Sequence, residues 1–65
     1  MGGDRFQLYA ARKLHTVDLD ILTDEEEGVL RTRCKGNPAY TATLLHMSVE
    51  TVHRRQRTIR AKLGN

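Results

Sequence analysis

The sequence predicts an all-α fold, a small helical bundle of about four helices. Three observations lead there. Apolar residues recur at spacings of three and four along most of the chain, the period of one helix face. A capping residue stands ahead of each such run: Asp4, Thr23, Asn37 and Ser48. The one proline, Pro38, directly follows Asn37, at the first helical position, where its missing N–H is no loss.

"DRFQLYAARKLHT" (4–16) reads as the first helix, with Phe6, Ala10 and Leu14 at i, i+4, i+8 and Asp4 as its cap. "VDLDIL" (17–22) alternates apolar and acidic residues. No second strand is present to pair with it, so it reads as an extended connection whose Val17, Leu19 and Ile21 rest on the helices.

"LTDEEEGVLRTRCKG" opens with Thr23 and Glu26 in capping-box spacing. Its acids fall in the first turn and Arg31, Arg33 and Lys35 toward its end, each sign where the helix dipole favours it. Val29, Leu30 and Cys34 form its inner face, and Gly36 is the expected stop. "NPAYTATLLH" starts a third helix that turns Ala42, Leu45 and one of Tyr40 or Thr41 inward. From Ser48 a fourth runs to about Leu63, burying Val49, Val52, Ile59 and Leu63 and part of Gln56, and Gly64 ends it.

At 65 residues the chain is a single domain (1–65), near the lower size limit for folding without disulfides or metal. The single Cys34 excludes an intrachain disulfide, and no Cys/His spacing offers a zinc site. No metal, cofactor or catalytic role is therefore expected, since so small a body leaves little room for a deep cleft. The absence of any long apolar run predicts no membrane span, and the lone thiol points to a reduced, cytoplasmic setting.

Charge is lopsided. Residues 1–27 carry seven acids and three bases, whereas residues 28–65 carry eight bases and one acid. Five of those bases lie within 54–63. A basic C-terminal half suits a polyanion such as nucleic acid, although charge alone fits a solvated helix face equally well.

The stretch Ala42–Val52 separates these readings. A helix-turn-helix needs a small residue where its helices approach and an apolar one ten positions later, and Ala42 and Val52 meet both needs. Leu45 and Met47 fill the wedge between the helices. Glu50, His53, Arg54 and Arg57 are left together on the opposite face of the last helix, at spacings that share one side. A helix in the major groove presents such side chains to base edges.

At these residues the sequence resembles the LuxR/GerE-type DNA-binding domain of bacterial transcription regulators. "LTDEEEGVL", Gly36, "TATLLHMSVETV" and "IRAKLG" carry the likeness, which spans residues 22–64, with residues 1–21 as an additional N-terminal helix and connection. Sigma-factor region 4 shares the same helix-turn-helix logic. Thr41 stands where the family pattern has Ile and Arg55 where it often has His. The chain reaches Asn65 without the family's fourth helix, so a homodimer is expected to use the N-terminal helix, around Phe6, Tyr9 and Lys13.

The resulting expectation is a sequence-specific regulator that binds double-stranded DNA. Its last helix (48–63) lies in the major groove, with Glu50, His53, Arg54 and Arg57 at base edges. Thr51, Arg55, Arg60 and Lys62, with Arg33 and Lys35, contact phosphates and set register. The rival expectation is an adaptor that binds RNA polymerase or another regulator through the acidic N-terminal half.

Overall fold

The computed structural model describes residues 4–64 as four α-helices and one 3-10 turn. In chain order these are α1 (Arg5–Thr16), the turn Leu19–Ile21, α2 (Asp24–Arg33), α3 (Pro38–Leu45) and α4 (Val49–Leu63). There is no strand among the described residues.

Each helix begins at the cap its sequence announces. The Asp4 carboxylate accepts the backbone N–H groups of Phe6 and Gln7 at 3.1 Å. Thr23 and Glu26 form a reciprocal capping box. Asn37 accepts from Tyr40 N–H and Ser48 from Thr51 N–H. A side-chain cap of this kind contributes about 1 kcal/mol, a real share of stability in a chain this short.

The helices close over Phe6, Tyr9, Ala10, Leu22, Val29, Leu30, Ala42, Val52 and Ile59, with Leu14, Leu19, Cys34, Leu45, Met47 and Leu63 packed at the margin. The other three helices all pack on α2, and α3 also packs on α4. Burying an aliphatic or aromatic side chain of this size is worth roughly 1.5–3 kcal/mol, which sets the scale of the driving force. Thr41, buried beside this layer, is satisfied by a 2.7 Å hydrogen bond to the Thr32 hydroxyl.

Several expectations are corrected. The connection after α1 is not extended throughout. The Asp18 carboxylate accepts Asp20 N–H at 3.0 Å and coils the chain into the 3-10 turn, so Leu22 is buried and Ile21 faces solvent. Val49 is 41% exposed, because a side chain at the first residue of a helix leans back past the helix end. Gly36 does not supply a left-handed helix stop. A Cβ there would lie 2.7 Å from Cδ2 of Tyr40, so the glycine makes room for that ring. The left-handed residue is His46, which ends α3 at φ 55°, ψ 48°.

Phe6 and Tyr9 belong to the core, 5.2 Å apart between ring centroids, and Lys13 donates to Leu63 C=O at 3.3 Å. The residues expected to form a dimer are thus occupied within one chain. In so small a domain the N-terminal helix supplies apolar area the core needs.

Candidate nucleic-acid interface

The candidate surface is the outer face of α4, and its position follows from what the inner face buries. Val52 and Ile59 are fully buried, with Gln56 and Leu63 half-buried beside them. At 100° per residue the opposite side of the helix is Glu50, Arg54, Arg57 and Ala61, with His53 on its shoulder. All five are exposed. The expected base-contact set of Glu50, His53, Arg54 and Arg57 is therefore gathered on one accessible stripe. None of these four side chains makes an ion pair with another described residue.

The remaining bases of α4 are engaged by its neighbours. On one flank, Arg55 pairs with Glu25 and Lys62 Nζ lies 2.6 Å from Glu26 Oε1, both acids being in the first turn of α2. On the other flank, the Arg60 guanidinium sits 4.3 Å from the Tyr9 ring centroid and 5.3 Å from that of Phe6. Tyr9 also donates its hydroxyl proton to Gly64 C=O, tying α1 to the end of α4.

Arg33 is corrected as a phosphate contact. Its side chain is 2% exposed, because three acceptors draw it inward: Gln56 Oε1 on Nε, Gly36 C=O on one terminal nitrogen and Asp4 Oδ1 on the other. Lys35, in the turn after α2, is exposed. The Thr51 side chain shares a hydrogen bond with Ser48 Oγ at 2.9 Å.

These pairings shape the electrostatics. The Arg33 guanidinium holds the Asp4 carboxyl below its ordinary value, against the opposing effect of burial. Burial pushes Glu26 upward, but the Lys62 ammonium and the Thr23 N–H outweigh it, and the carboxyl titrates below its usual range. Burial raises Tyr9, although the nearby Arg60 charge opposes the rise. Acids of α2 thus neutralise one flank of α4, while the cations of its outer face stand apart from any described carboxylate except that of Glu50 on the same stripe.

Tyr9 and Lys13 as ties to the α4 terminus, and Glu25 and Glu26 as its counter-charges, were not foreseen. Tyr9 and Lys13 share a stripe with Phe6 (i, i+3, i+7), a signal that α1 packs inward along that line. For the acids there was no local signal, since they meet their partners 30 and 36 residues away.

Among the described residues there is no cavity for a small molecule and no cluster of three metal-ligating side chains. No helix among them is long and apolar enough to cross a membrane. No protein-family model, curated protein or solved structure matches the chain.

Proposed function

We propose that this chain binds double-stranded DNA sequence-specifically and acts as a transcriptional regulator, with α3 and α4 serving as a helix-turn-helix and α4 entering the major groove. The observation that carries this reading is the composition of α4's outer stripe. Two arginines and a glutamate project together there, opposite the buried Val52 and Ile59, with a histidine on the shoulder of the stripe. Arg54 and Arg57 suit the O6/N7 acceptors of guanine, and Glu50 suits the N4 donor of cytosine. The three residues between α3 and α4 and the buried Ala42 are consistent with such a motif.

Phosphate contacts fall to Lys35, Thr51 and Arg60. Arg55 and Lys62 contribute less, because α2 already offsets their charge. The adaptor reading has narrower support: Asp4, Glu25, Glu26 and Glu27 are all held in ion pairs within the chain, which leaves few acids for a partner such as RNA polymerase.

The test is titration of fluorescent duplex DNA with the full chain at several salt concentrations. A log-affinity that falls linearly with log salt, by about 0.9 per phosphate neutralised, supports the proposal. Selection from a random duplex pool should then return a motif. No binding to any duplex at low salt would sink the reading.

A further inference from the structure

Leu8 and Ile21 are the two most exposed large apolar side chains among the described residues, at 65% and 53%. A single exposed Leu or Ile needs no explanation. These two differ in what surrounds them. Arg5, Leu8 and Arg12 lie at i, i+3, i+7, a continuous stripe on the outer face of α1. Ile21 lies in the following turn, between the exposed acids Asp20 and Asp24.

Arg5, Arg12, Asp20 and Asp24 are also, away from α4, among the charges the fold leaves without an ion pair to a described residue. None of them pairs with another described residue, whereas Asp4, Glu25, Glu26 and Glu27 all do. The molecule therefore carries one exposed apolar side chain flanked along its segment by two arginines and another flanked by two aspartates.

We propose that two copies of this chain associate through these patches, the Arg5–Leu8–Arg12 stripe of one copy seated on Asp20–Ile21–Asp24 of the other. A two-fold arrangement makes the contact twice, since each copy offers both patches. Charge complementarity selects a second copy as the occupant: the partner of each patch is present on the same chain. The contact is small and rimmed by exposed ion pairs, so it is weak and weakens further with salt. It is independent of the outer face of α4.

Sedimentation equilibrium of the full chain without DNA, at low ionic strength, tests this. Mass should rise with concentration from 7.4 kDa toward twice that value. Arg5→Glu/Arg12→Glu and Asp20→Lys/Asp24→Lys should each weaken association at least about tenfold, a loss of roughly 1.4 kcal/mol. An equimolar mixture of the two should restore it, because a mixed pair has one native contact and one with both signs reversed. Leu8→Gln, which leaves charge untouched, should weaken it as well. Circular dichroism confirms that each variant is folded. The proposal is overturned by a wild-type chain that stays at 7.4 kDa up to millimolar concentration. It is equally overturned by a dimer that survives both charge reversals, or by a mixture that associates no better than either variant alone.

Discussion

Lys62 Nζ lies 2.6 Å from Oε1 of Glu26, the same oxygen that accepts Thr23 N–H at 2.9 Å. The carboxylate is 7% exposed and keeps its charge because these two donors reach it. One side chain thus caps α2 and anchors the last turn of α4, and a lysine that sequence offers to phosphate is committed to the fold.

Lys62→Met should therefore destabilise the domain by about 1–3 kcal/mol, the usual penalty for leaving a buried group short of a partner. In a domain of this length that is a drop of several degrees in melting temperature. Thermal unfolding checks it, and an unchanged midpoint would show that water replaces the ammonium without loss.

Acid should unfold the domain through the same groups. Asp4 and Glu26 titrate below their ordinary values of 3.8 and 4.5 in the folded chain. The folded state binds fewer protons than the unfolded one in that range, so stability falls as pH falls. Their contribution is present in full above those ordinary values and is lost as pH drops through the lower folded ones. Glu26→Gln combined with Asp4→Asn should lower stability at pH 7 and flatten its decline below about pH 4.5. Denaturant midpoints from pH 7 to 2 would reveal this, and an acid limb as steep as wild type would assign it to other groups.

Arg33→Lys should behave as a severe change. Three nitrogens of one planar fork meet three acceptors, and a lysine cannot reproduce that geometry. A loss of about 1–3 kcal/mol is expected, with the salt slope of duplex binding unchanged. A reduced slope in a folded variant would return Arg33 to the phosphate contacts.

His46 holds a left-handed conformation that glycine adopts without a Cβ penalty. His46→Gly should raise stability by roughly 0.5–1 kcal/mol, the relieved strain exceeding the extra freedom of the unfolded chain. His46→Val should lower it. Thermal melts of the pair settle the order, and a glycine variant less stable than wild type would mean that the imidazole makes up for its backbone.

What was legible in the sequence was local. Asp4, Thr23, Asn37 and Ser48 cap helices because a cap is decided within three residues, and Val52 and Ile59 are buried because the helical period places them on one stripe. The gathering of Glu50, His53, Arg54 and Arg57 on one outer stripe follows from the same period. The fates of Arg33, Arg55 and Lys62 were not legible. Each depends on a carboxylate or amide at least 23 residues away, and a basic residue looks the same in sequence whether it meets solvent or an acid. Ile21 misled for a different reason: alternation suggested an extended segment, but the Asp18 side chain made a turn of it.

The last prediction separates reading bases from holding the backbone. Arg57 is exposed on the outer stripe of α4, one turn after His53, whereas the Arg60 guanidinium stacks on Tyr9 at 4.3 Å. In helix-turn-helix docking the N-terminal part of the recognition helix goes deepest into the groove and later residues rise toward phosphate. Arg57→Ala should lose roughly 1–3 kcal/mol on the preferred duplex and much less on a scrambled one, leaving the melting temperature where it was. Arg60→Ala should weaken both duplexes about equally and reduce the salt slope by about one phosphate's worth. It should also lower stability by about 0.5–1 kcal/mol, since it removes a cation from an aromatic face. Four affinities, two salt slopes and two melts measure all of this. Equal losses on both duplexes for both variants would reduce α4 to a generic basic surface, and its outer stripe would then read no bases.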